Sequence, residues 1–114
     1  MKDYKKSGKI EGSLIVKGNL ILTGDLKIEE EIEVSGYIDC QGYSIEAGGS
    51  IRARSSITTG GSILSQLYIK CGTELSAELY IYAGVVTWRE RKDEDMLIEC
   101  GQLTKGKVEF GKLV

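Results

Sequence analysis

Large aliphatic residues recur every sixth position along most of the chain. One series runs Leu14, Leu20, Leu26, Ile32 and Ile38, and after one inserted residue near Tyr43-Ser44 it resumes at Ile45, Ile51, Ile57, Ile63, Ile69, Leu75 and Ile81. Two residues after each comes a second apolar or small position: Val16, Leu22, Ile28, Val34 and Cys40, then Ala47, Ala53, Thr59, Ser65, Cys71, Ala77 and Ala83. Alternation of this kind marks a short strand with one buried face. Glycines at 12, 18, 24, 36, 42, 48, 60, 72 and 84 fall on the same period. They punctuate the strands as corners, where a residue without a Cβ lets the chain turn sharply.

Strands this short, joined by single corners, do not suit hairpins, which want Asn-Gly or Asp-Gly between longer alternating runs. Coiling the chain so that each hexad lies on one from the turn before satisfies the pattern. Strands then pair in parallel at about 4.8 Å and the aliphatics stack into one core. The expected fold is all-β: a single-stranded parallel β-helix (solenoid) of hexapeptide repeats. The inward aliphatics stack equally well with two or three hexads per coil. Outward charges favour three, because Lys27 then lies over Glu46 and Glu33 over Arg52, whereas two per coil sets Glu33 over Glu46. Like charges directly opposed are destabilising.

The hexads span residues 8–86 of a single domain, 1–114. The segment 87–97, Thr87-Trp88-Arg89-Glu90-Arg91-Lys92-Asp93-Glu94-Asp95-Met96-Leu97, has almost no inward face and reads as a charged projecting loop. The pattern returns over 98–114, through Ile98-Glu99-Cys100-Gly101 and Gly106-Lys107-Val108-Glu109-Phe110-Gly111, as a terminal coil or cap. The basic start, with Lys2, Lys5, Lys6 and Lys9, reads as a short solvated tail. No helix is expected.

The runs Ile10-Glu11-Gly12-Ser13-Leu14 and Val16-Lys17-Gly18-Asn19-Leu20 through Leu26 resemble bactofilins, which share a V-x-G-x-I rhythm. Bactofilins are bacterial polymer-forming cytoskeletal proteins, and the resemblance covers about residues 8–86. It implies a right-handed triangular β-helix that polymerises, so right-handed coiling is favoured over left-handed. The left-handed hexapeptide helix has its own motif, [LIV]-[GAED]-x-x-[STAV]-x. Ile45-Glu46-Ala47-Gly48-Gly49-Ser50 fits it in part, but Arg52, Thr58, Leu64 and Lys70 stand where it prefers Gly, Ala, Glu or Asp.

Composition narrows the chemistry. The chain lacks proline, which suits an almost continuous ladder of backbone pairs. It also lacks histidine, the usual general base near neutral pH and the commonest metal ligand. The acyltransferases and γ-type carbonic anhydrases built on left-handed hexapeptide helices both depend on histidine, so neither activity transfers to any residue here. No phosphate-binding glycine loop, zinc-protease motif, nucleophile elbow or CxxC occurs. The expectation is no enzyme, no catalytic residue, no cofactor and no metal. Glu29, Glu30, Glu31 and Glu33 read as a solvated acidic corner. With a net charge of −2, no nucleic-acid partner is expected. Three widely spaced cysteines argue against a secreted disulfide framework. No signal-like start and no membrane-length apolar run is present, and a cytoplasmic setting is expected.

The residues that suggest contacts are few. Trp88 beside Arg89 and Arg91 has the composition of an interface anchor, or folds back over the end of the rod. Tyr68, Tyr80 and Tyr82 lie at outward or corner positions able to stack on sugars or a partner. Ile15 and Ile21 are outward aliphatics that suggest subunit contacts. The functional expectation is a structural, scaffolding protein that forms a homo-oligomer or polymer through the ends or faces of its β-helix. The alternative is a module that binds carbohydrate or a protein partner with its outward tyrosines and the Trp88 loop.

Overall fold

The computed structural model describes residues 2–114 and is a β-solenoid. Its strands, in chain order, are β1 Asp3–Ile10, β2 Leu14–Val16, β3 Asn19–Ile28, β4 Ile32–Val34, β5 Ile38–Asp39, β6 Ile45–Ala47 and β7 Ile51–Ala53. They continue as β8 Ile57–Thr59, β9 Ile63–Ser65, β10 Ile69–Cys71, β11 Glu74–Ala83, β12 Leu97–Glu99, β13 Gln102–Phe110 and β14 Lys112–Leu113. All pairings are parallel.

The pairings resolve into three faces. Face 1 stacks β2, β4, β7, β10, β12 and β14. Face 2 stacks the first halves of β1, β3, β11 and β13 with β5 and β8, and face 3 stacks their second halves with β6 and β9. The long strands bend through a corner and so serve two faces. Ile51 lies on Ile69, a coil of 18 residues with three strands. Lys27 opposes Glu46 and Glu33 opposes Arg52, the register that the outward charges require. Their ions meet at 3.1 Å and 3.5 Å.

The core is one column of aliphatics per face. Leu20, Ile32, Ile38, Ile45, Ile51, Ile57, Ile63, Ile69, Leu75 and Ile81 are fully buried. The second inward position shrinks along the rod. On face 2 it runs Leu22, Cys40, Thr59 and Ala77, and Gly106 then lies against Ala77. On face 3 it runs Ile28, Ala47, Ser65 and Ala83, and Gly111 lies against Ala83. Corner glycines are required by close stacking: a Cβ on Gly72 would sit 2.0 Å from the Arg54 carbonyl oxygen. The inserted residue is taken up at Cys40–Tyr43, where Gln41 adopts φ 54° and Tyr43 N–H closes a turn onto the Cys40 carbonyl at 2.9 Å.

The start of the chain differs from the sequence expectation. The basic start is not a tail. β1 runs across faces 2 and 3, with Tyr4 taking the place over Leu20 and Ile10 that over Ile28. Tyr4, half-buried, and Ile10 pack against the core there, and Lys6 falls over Leu22. The last residues form a sixth coil, β13 and β14. The excursion at 84–96 includes one 3₁₀ turn, Asp93–Met96, where no helical element was expected.

Candidate interaction surface

Face 3 carries a row of half-buried apolar side chains at outward positions in its C-terminal half. Outward positions on this face run Lys9, Lys27, Glu46, Leu64, Tyr82 and Phe110 in register. The upper half is ionic and the lower half is a stripe of Leu64, Tyr82 and Phe110. Tyr80 flanks the stripe, its ring 6.3 Å from that of Tyr82 and tilted by 60°. Leu79, at the corner beside it, is 52% exposed. The stripe exists because β13 gains an extra residue against β11 between Val108 and Phe110. That bulge turns Phe110 outward over Tyr82 and leaves Gly111 to face Ala83.

The charged loop does not simply project. From Gly84 it runs back along the corner between faces 3 and 1 as a strap. Thr87 N–H and its hydroxyl both donate to the Gln66 side-chain carbonyl, at 3.3 and 3.2 Å. Trp88 Nε1 donates to the Gly48 carbonyl at 3.1 Å, and the ring still leaves 59% of the residue exposed. Within the strap, a half-buried Arg89 pairs with a buried Asp95. Arg89 forks onto both oxygens of Asp95 at 2.7 and 2.8 Å, and Asp95 also accepts the Lys92 N–H at 2.7 Å. These bonds hold the Asp95 carboxyl below the ordinary carboxylate range, the Arg89 bond first among the causes and burial opposing it. Sequence charge alone made this segment look solvated. Thr87 and Trp88 tie it to the rod, and the pairing of Arg89 with a buried carboxylate closes the segment on itself.

The expected contact residues therefore separate. Tyr80, Tyr82 and Arg91 converge on the stripe, Arg91 by lying 4.8 Å from the centre of the Phe110 ring. Trp88 stands on the adjoining corner with Arg89 stacked 5.0 Å from its ring, and Arg89 is committed to Asp95. Tyr68 is half-buried in the corner leading to face 1. Ile15 is 65% exposed on face 1, over Glu33, and Ile21 lies on face 2 between Lys5 and Asp39. Each of those two is a single aliphatic among charged neighbours, and neither joins the stripe. Sequence reasoning missed Phe110, because the bulge at Glu109 shifts it off the period.

The remaining surface is mostly ionic. Face 1 holds a shallow groove lined by Ile15, Lys17, Glu33, Arg52, Arg54 and Lys70. Within it Arg52 pairs with Glu33, and Lys70 with Glu99 at 3.6 Å. At the strap corner, Glu29, Glu30 and Glu31 border Trp88, Leu67 and Gly48. Among the described residues no three Cys, Asp or Glu side chains group as a metal site, and no helix is long and apolar enough to cross a membrane. Comparison with protein-family models, with curated proteins and with solved structures finds no match to this chain.

Proposed function

We propose that the protein is a non-catalytic structural module that self-associates through the apolar stripe of face 3. The observation that carries this reading is the register of Leu64, Tyr82 and Phe110, three apolar side chains stacked on consecutive coils with Tyr80 beside them. Such a stripe is self-complementary about a two-fold axis at Tyr82, which sets Leu64 of one copy against Phe110 of the other. Aromatic residues of this kind dominate contact energies.

The ends are the other candidate surfaces, and their chemistry opposes simple stacking. β1 and β13 both leave a backbone edge unpaired, which invites association. Each also carries the features that discourage it. β1 has a register irregularity between Lys6 and Gly8 and bears Lys5, Lys6 and Lys9. β13 has three irregularities and bears Lys105 and Lys107. End-to-end growth of the kind the bactofilin resemblance implies would have to pair two irregular edges, one of which carries Lys105 and Lys107 already matched to Glu78 and Glu109. We place the protein in the cytoplasm on its three unpaired thiols.

Sedimentation velocity over a concentration series tests the reading. The native chain should shift from monomer to a small closed oligomer, and Tyr82→Lys should stay monomeric with its far-UV spectrum unchanged. A native chain that stays monomeric at every concentration overturns it. A second reading draws on one observation: Trp88 is pinned through Nε1 yet widely exposed, a rigid ring suited to stacking on a sugar. Trp88 is the single tryptophan, so its fluorescence reports that corner directly. Quenching by an added oligosaccharide would favour this reading.

A further inference from the structure

Two of the three cysteines meet although 29 positions separate them in the chain. Ile69 pairs with Ile98 and Lys70 with Glu99, so Cys71 and Cys100 are the next neighbours in the same parallel ladder. Both occupy the second inward column of face 1, below Val16, Val34 and Ala53. The Cys71 thiol donates to the Glu74 carbonyl at 3.5 Å, and Cys100 stands near enough to raise the Cys71 thiol further. Adjacent strands lie about 4.8 Å apart, inside the Cα range that a disulfide spans. A side-chain bridge also wants its Cβ atoms somewhat closer than a regular ladder sets them. The position is favourable for that adjustment: β12, held between β10 and β14, ends at Glu99, so Cys100 lies just past the paired strand with the corner Gly101 following.

We propose that Cys71 and Cys100 are a redox modification site, a dithiol that low-molecular-weight disulfides convert to an intramolecular disulfide stapling the chain's return from the strap, at the end of β12, to the end of β10. In the first step the Cys100 thiolate attacks one sulfur of the small disulfide. A protein–small-molecule disulfide forms, and one small thiolate leaves and takes up a proton. In the second, Cys71 loses its proton and attacks the Cys100 sulfur, and the second small thiolate leaves and is protonated. Two protein thiols and one small disulfide become one protein disulfide and two small thiols, so no other oxidant is consumed.

Cys100 is the attacking group because it is the more accessible of the two; burial raises its thiol above the ordinary range, and the neighbouring Cys71 partly offsets that. Cys71 resolves the intermediate: it is buried, and its thiol sits at about 12, raised first by burial and then by Cys100. Exchange should therefore be slow near neutral pH and accelerate as pH rises. Cys40 is the internal control. It lies on face 2 between Leu22 and Thr59 with no second thiol beside it, and burial pushes it to about 12 as well.

The bridge closes the whole strap into a loop and fixes the coil that carries Phe110. Cross-linking a loop of this length stabilises chiefly by constraining the unfolded chain.

The test incubates the full-length protein with oxidised glutathione, then unfolds it, alkylates it and maps the peptides. The expected result is a free-thiol count that falls from three to one, a linked Cys71–Cys100 peptide, and a melting temperature raised by several degrees. Cys40→Ala should retain the link and the rise. Cys100→Ser should lose both and keep two free thiols. Cys71→Ser should stop at a stable glutathione adduct on Cys100. Three thiols persisting in the native chain, or a glutathione adduct on Cys100 that never resolves, overturns the proposal. Neither result bears on the face 3 stripe, which sedimentation tests separately.

Discussion

The middle of the rod and its C-terminal end are built from the same strands but held by different forces. From Leu20 to Ile81 each coil has a neighbour above and below, and every inward aliphatic is fully buried. Beyond Gly84 the chain leaves the ladder, is tied back by Thr87 and Trp88, re-enters as β12 between β10 and β14, and ends in a coil, β13 and β14, with a neighbour on one side only. There the core column ends in Leu113, 45% exposed. The lesson is that periodic burial makes the rod, whereas the departures from period make its surface. The two bulged stretches of β13 and the strap put Phe110 and Arg91 where a regular coil would have set neither.

The largest contrast should come from the core column itself. Ile51→Ala removes a fully buried side chain between Ile32 and Ile69, and should cost about 3–4 kcal/mol in denaturant unfolding. Leu113→Ala, in the same column at the open end, should cost less than about 1 kcal/mol. Equal losses would mean that the terminal coil is as firmly held as the middle. Next come the corners. Gly72→Ala must displace the Arg54 carbonyl and should cost about 2 kcal/mol. Gly42→Ala meets nothing within 4 Å and should stay within about 0.5 kcal/mol of the native chain.

The strap should respond to acid before the rod does. The Asp95 carboxyl is depressed in the folded state, so its contribution is complete above the ordinary carboxylate range and is lost as pH falls through its lowered value. Trp88 emission should therefore change on strong acidification while the far-UV spectrum holds, and Asp95→Asn should show the changed emission already at neutral pH. Emission and secondary structure lost together would show the strap and rod to be one cooperative unit. The smallest effect belongs to the outward ion ladder. Glu46→Lys sets like charges against Lys27 at an exposed position and should cost about 0.5 kcal/mol, less at high salt.

The contrast also explains what the chain declared in advance. The three-strand coil was legible because Lys27 and Glu33 choose their partners one coil on, and because the aliphatics never miss a step. Tyr80 and Tyr82 could be read as outward from the same alternation. What could not be read were positions fixed by a single non-repeating contact. Tyr4 converts a lysine-rich start into a coil. A buried Asp95 converts a charged segment into a strap. One extra residue in β13 converts Phe110 from an apparent core residue into a surface one. The cysteine pair was half legible: the sequence repeats Ile-x-Cys-Gly at Cys71 and Cys100, but only the length of the strap brings those two corners into adjacent coils.

The claim that matters most is that association uses the lower half of face 3. Amide hydrogen exchange on the native chain at low and high protein concentration tests it most directly. Protection that rises with concentration at residues 64, 80–82 and 108–110, and stays constant along β1 and on face 1 at β4 and β7, is the predicted result. Protection gained along β1 and β13 together would mean that the rods join by their ends, and no change anywhere would mean that the stripe is not a contact surface between copies of this chain.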